Sequence, residues 1–144
     1  MATFVKFNTV LDALIAGELV NLGTDVLKFA LTNTAPTAAT DSQFLPGSLH
    51  PPPAAANGYT TGGHTATIVS WSRSGATWTL ACTTDVVITA TPGGIGPFRY
   101  VLLYDDTHAT DQLISYWDYP EGSITMQSGD TFTIDVTASL LTIT

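Results

Sequence analysis

The sequence predicts an all-β fold: an antiparallel sandwich of jelly-roll type, or a barrel, of about 8–10 short strands. One short N-terminal helix and a long Pro-rich arm complete it. Three observations predict this. Short runs rich in Thr, Val, Ile and aromatics follow one another closely from Thr65 to the end, separated by Gly, Pro and Asp turns. Val101, Leu103, Ile114, Tyr116, Phe132 and Ile134 recur at the period of two that strands require. Only one stretch carries helical spacing, so alternating βαβ units are not expected.

That stretch comes early. Residues 3–7 read as a short strand, after which Asn8 and Thr9 offer an N-cap and Asp12 an acidic capping position. Val10, Leu11, Leu14 and Ile15 form an apolar stripe and Gly17 lies near its end, giving a helix over 8–19 that lies across a sheet. A turn over 21–25 leads into a strand over 26–31. Beyond the arm, 65–73 and 76–84 form a hairpin across Arg73-Ser74-Gly75. Strands follow at 86–91, 98–105, 112–119, 123–128, 131–137 and 139–144, with Ser128-Gly129-Asp130 a strong hairpin turn. Gly93-Gly94-Ile95-Gly96 lacks the Lys and the following helix of a phosphate loop, and reads as a flexible strand connection.

Residues 33–64 differ from their surroundings, with Pro, Gly, Ala, Ser and Thr dominating and Pro51-Pro52-Pro53 favouring extended geometry. Loops beyond about 12–15 residues are uncommon inside compact domains. The segment is either a floppy insertion or an extended arm. Phe44, Leu45 and Leu49 favour the arm, anchored with Pro51, Pro52 and Pro53 on a neighbouring subunit, because a solvated linker gains nothing from such residues.

With 144 residues and no repeat or boundary, the chain reads as a single domain over 1–144 with its own core. Charged residues are 11% of it, against about 25% in typical soluble domains, so Thr, Ser, Asn and Gly must carry the polar surface. Thr-rich strands suit contact with other proteins, and 44% hydrophobic residues are more than a small core hides, favouring an oligomer. Four basic residues (Lys6, Lys28, Arg73, Arg99) face twelve carboxylates, for a net charge of −8. That balance argues against nucleic acid and against anionic membranes as partners. The single cysteine, Cys82, allows no internal disulfide and reads as a buried strand residue. No apolar run spans a membrane, and the N-terminus lacks a signal-peptide pattern, so synthesis in a cytoplasm without conventional export is expected.

Candidate chemistry is sparse. His50, His64 and His108 have no second His or Cys at metal-ligand spacing, and nothing resembles a nucleophile elbow, so no enzyme and no cofactor are expected. Asp105, Asp106 and Asp111, with Thr107 and Thr110, could hold a calcium ion but lack EF-hand spacing, and a polar turn is the simpler reading. Tyr116, Trp117 and Tyr119 lie in one strand. With Tyr59, Trp71 and Trp78 they could present aromatic faces to a sugar, although core or interface packing suits them better.

Several motifs carry a resemblance. Ala30-Leu31-Thr32-Asn33-Thr34-Ala35-Pro36, Asn57-Gly58-Tyr59-Thr60-Thr61-Gly62-Gly63, Gly96-Pro97-Phe98-Arg99-Tyr100-Val101-Leu102-Leu103-Tyr104, LISYWD over 113–118 and SGDTFTIDV over 128–136 together resemble the small structural proteins of tailed bacteriophages and prophages. The resemblance covers most of the chain and thins over 37–56. It implies a decoration (cement) protein on the capsid exterior, made in the host cytoplasm, with the major capsid protein and further copies of itself, in a homotrimer, as partners. A tail or fibre-attachment module that binds surface glycans is the alternative it implies.

Overall fold

A computed structural model describes residues 1–19, 21–54, 56–136 and 140–144, leaving aside the side chains of Ile68 and Val69. Thr137 and Ser139, expected at strand ends, and Ala55 in the 33–64 segment lie outside the described residues. The described chain is mostly β, with one α-helix. Strand β1 (Thr3–Lys6) precedes helix α1 (Thr9–Ala16), then β2 (Leu27–Thr32), β3 (His64–Thr65), β4 (Thr67–Ser74) and β5 (Thr77–Thr84). There follow β6 (Val86–Thr89), β7 (Ile95–Phe98), β8 (Tyr100–Asp105), β9 (Gln112–Asp118), β10 (Ile124–Met126), β11 (Thr131–Ile134) and β12 (Leu141–Ile143).

The described strand pairings are antiparallel. A five-stranded sheet runs β1-β9-β8-β2-β3, a three-stranded one β12-β5-β4, and two pairs join β6 to β11 and β7 to β10. The sheets do not close on themselves, which corrects the barrel alternative. Helix α1 is shorter than its apolar stripe suggested. Gly17, at φ 76°, ends it in left-handed geometry. Asn8 makes no side-chain cap, and the Thr9 hydroxyl donates instead to the Asp41 carbonyl at 3.0 Å. The Gly93–Gly96 connection is also corrected: from Ile95 the chain is strand, paired with β10.

The five-stranded sheet is covered on both faces. Phe29, Leu31, Val101 and Leu103 point into the main core, where they meet Leu80, Ile88, Phe98 and Ile134 from the smaller sheets. The outer face carries Ala30, Leu102, Tyr104 and Leu113, packed with Phe7 and Phe44. All six residues of β8 are therefore buried, as a central strand with two covered faces requires. A register shift where β8 meets β9 places Ile114 in the main core, while Tyr116 packs on the outer cluster. The simple period of two had put both on one face; a β-bulge adds the residue that separates them. Cys82 is a buried core residue whose thiol is pushed up to about 11 by burial.

The 33–64 segment supplies the outer layer. Its described residues lie against the body at Ala38, Phe44, His50 and Tyr59, and an extended arm is not seen among them. The segment ends at Gly63, where φ is +82° and a Cβ would overlap the Phe29 carbonyl of β2. Only glycine lets the chain approach this closely in that conformation.

Two side-chain atoms, His64 Nε2 and Ser115 Oγ, are buried with no hydrogen-bond partner among the described residues. Ser115 is fully buried. An unpaired buried hydroxyl carries a desolvation cost of about 1–3 kcal/mol. Ser115→Ala is therefore expected to raise stability by about 1 kcal/mol, or a few degrees in Tm. Thermal unfolding checks this, and a clear loss would mean that the hydroxyl is paired.

Candidate interaction surface

Helix α1 carries more apolar surface than the core accepts. Val10 and Ala13 are buried, Leu11 and Leu14 are half-buried against the core, and Ile15 is 86% exposed. Facing them is the end of the three-stranded sheet. Trp71 pairs with Leu80 while Trp78 pairs with Arg73 and Ile143, so both tryptophans share one sheet face as diagonal neighbours. Their rings stack at 5.1 Å with 27° between planes. Leu11, Leu14, Ile15, Leu19, Trp71, Trp78 and Ile143 line a groove of about 400 Å³. Among the described residues, no charged or hydrogen-bonding side chain lines it apart from the indole N–H groups, so it suits an apolar partner. Trp78 remains 38% exposed, an aromatic anchor of the kind that dominates interface energetics. Chain order alone hides this groove, since its parts lie some sixty residues apart; the over-wide helical stripe was its one visible sign.

The residues expected to form the partner-binding arm are split. Phe44 is 2% exposed and stacks on Tyr104 at 4.5 Å, so its anchor is this chain's own sheet, which corrects its placement on a neighbour. Pro53 is buried and Pro52 half-buried, whereas Leu45, Leu49 and Pro51 are exposed.

The aromatics do not make an open platform. Tyr59, one of the candidate surface aromatics, is buried, and its hydroxyl accepts the Leu31 N–H at 2.9 Å; burial pushes that phenol up to about 12. Trp117 is half-buried, held edge-on by Phe4 at 5.4 Å and tilted against Phe29 at 5.8 Å. Tyr119 is half-buried with its ring edge-on to Phe132 at 5.5 Å, and it borders a second hollow with Met1, Pro120 and Ile124.

The acidic run is a turn that satisfies itself. Asp105 accepts the Thr107 N–H at 2.8 Å and the His108 N–H at 3.2 Å, the self-bonding for which Asp is favoured in turns. Asp106 pairs with Lys28 at 2.7 Å, and Asp111 holds φ 51°. Burial raises the Asp105 and Asp111 carboxyls above the usual range. Among the described residues, no three His, Cys, Asp or Glu side chains converge as metal ligands would. Elsewhere Arg99 makes a two-pronged pair with Asp118, at 2.7 and 3.1 Å, which ties the start of β8 to the end of β9.

No family model, no curated protein and no solved structure matches this chain.

Proposed function

We propose that the chain is a non-enzymatic virion protein of a tailed bacteriophage. It would be a cement protein that sits on the capsid exterior and bridges neighbouring major capsid protein subunits. The motifs of the β body suggest the family, and the half-open groove under Trp78 is the observation that carries the mode of action. In this reading the five-stranded sheet and the smaller sheets are the two layers of a sandwich. The groove receives apolar side chains from the shell, and Leu45 and Leu49 add to the contact. A closed homotrimer suits the threefold and quasi-threefold positions of a capsid lattice.

The mechanism is thermodynamic. A contact of about 800 Å² per partner is standard for a specific interface. Engaging several shell sites at once adds avidity without new contacts. Binding only the assembled shell stabilises it by mass action. The tail or fibre-attachment alternative calls for open aromatic faces, whereas Tyr59 is closed off and Trp117 and Tyr119 are packed against neighbours. The cement reading is preferred on that ground.

Purified protein added to stripped, expanded shells is expected to bind at micromolar concentration and to raise their disruption temperature. Ile15→Lys combined with Trp78→Ala puts a charge in the groove and removes its anchor. Binding should fall by about 10–100-fold, on hot-spot values of roughly 2 kcal/mol or more, while the isolated chain stays folded. Failure of the unaltered protein to bind shells would overturn the proposal. Unchanged binding by the double variant would move the contact away from the groove.

A further inference from the structure

We propose that residues 36–54 form a strap latched over the outer face of the five-stranded sheet by a neutral His50–Asp41 pair, and that acid releases it. The strap is held at discrete points, which include the Thr9 hydroxyl on the Asp41 carbonyl and a bridge between Gln43 and Gln112. Asn8 donates to the Ala38 carbonyl at 2.9 Å, Leu113 to the Ser42 carbonyl at 2.8 Å, and Phe44 to the Asp111 carbonyl at 2.8 Å. The Thr32 hydroxyl donates to the Pro51 carbonyl at 2.9 Å. Phe44 is the apolar plug between these tethers.

His50 closes the strap on itself. It is fully buried and stacks on Phe44 at 6.1 Å. Its backbone N–H donates to the Leu45 carbonyl at 2.9 Å, and its Nδ1 accepts the Leu45 N–H at 3.3 Å. Because Nδ1 accepts, the neutral ring carries its proton on Nε2, which donates to Asp41 Oδ2 at 3.3 Å. The same carboxylate oxygen accepts the Thr37 N–H at 2.7 Å. One imidazole therefore joins the 45–50 turn to the 37–41 turn.

Protonation would put a second N–H on Nδ1, facing the Leu45 N–H it now accepts, and would bury a charge. Asp41 opposes this, since its carboxylate favours imidazolium. Other titratable groups around the strap are Tyr104 on β8, Tyr116 on β9 and Asp111 in the turn before β9, with Asp12, Glu18 and His108 lining a hollow beside Ser42 and Gln43. Burial raises the phenols of both tyrosines, which carry no charge near neutral pH, and it raises the Asp111 carboxyl; Asp41 is the group that favours the His50 imidazolium. Burial outweighs Asp41: the imidazole is held below its ordinary value of 6.5, desolvation being the larger cause. With the latched value below that of a solvated His, the latch is fully stable above about pH 6.5 and weakens as pH falls through the depressed value. Release would uncover Ala30, Leu102, Tyr104 and Leu113, the apolar outer face of the sheet.

Amide hydrogen exchange on the intact protein, corrected for intrinsic rates, tests this at about pH 7.5 and about pH 5. Protection at Phe44, Leu45 and His50 should fall about tenfold or more relative to Leu102 and Leu103. The midpoint should coincide with His50 titration followed by NMR. His50→Gln should remove the pH dependence. Parallel loss at both sets of amides, or strap protection indifferent to pH in the unaltered chain, would overturn the inference. So would acid release persisting in His50→Gln.

Discussion

Gly63→Ala is expected to cost the fold roughly 2–5 kcal/mol, combining left-handed backbone strain with overpacking against β2. The position combines φ +82° with a Cβ site that overlaps the Phe29 carbonyl and crowds the Ala30 Cα. Neither neighbour can yield, because both are backbone of the strand in the middle of the core. At the size of this chain the loss corresponds to a fall in Tm of about 8 °C or more. Chemical denaturation with an unchanged m-value checks it. A change within about 0.5 kcal/mol, as at ordinary surface sites, would mean that the segment does not close on β2 as described.

Phe44→Ala is the second large effect, at about 3 kcal/mol, in the usual range for emptying a buried aromatic site. Its ring fills the outer cluster, stacked on Tyr104 and beside His50. Truncation leaves Leu102, Leu113 and Ala30 facing a cavity, so unfolding should begin from the outer layer. Denaturant titration measures the loss, and exchange at the Leu45 and His50 amides locates it. Were 33–64 a free arm anchored on a neighbour, the same substitution would weaken partner binding and leave the isolated chain's stability unchanged.

The two expectations mark where the sequence was legible and where it was not. The β4–β5 hairpin, the one short helix and most strands could be read from runs of Thr, Trp, Ile and Val between turn residues, since both signals are local. Strand β7 was missed because glycines at 93, 94 and 96 mask a strand whose partner, β10, lies about thirty residues on. The composition of 33–64 is that of a loop, and Phe44 did mark it as anchored; what composition cannot say is on which chain. A sign was present in β8. Tyr100–Asp105 carries apolar residues at consecutive positions where a strand with one wet face would alternate. That run requires cover on both faces, and 33–64 is the segment that supplies it. The groove was less legible still. Trp71, Trp78 and Ile143 join Ile15 only through sheet pairing, and no local pattern records that meeting.

The folded strap also changes how the proposed cement activity would work. An arm that reaches across capsid joints would spend ordering entropy on binding, whereas a body with a preformed groove has already done so on folding. In the proposal, affinity would depend on the groove end of the molecule, around Ile15 and Trp78. The strap contributes Leu45 and Leu49 from a fixed position as long as His50 stays neutral.

The most direct measurement is a density map of the intact phage particle to which the proposal assigns this chain. The proposal predicts β-rich density of this size on the outside of the shell, at joints between capsid subunits, with Ile15 and Trp78 turned towards the shell. Density for this chain along the tail or at the neck, or its absence from the particle, would contradict it.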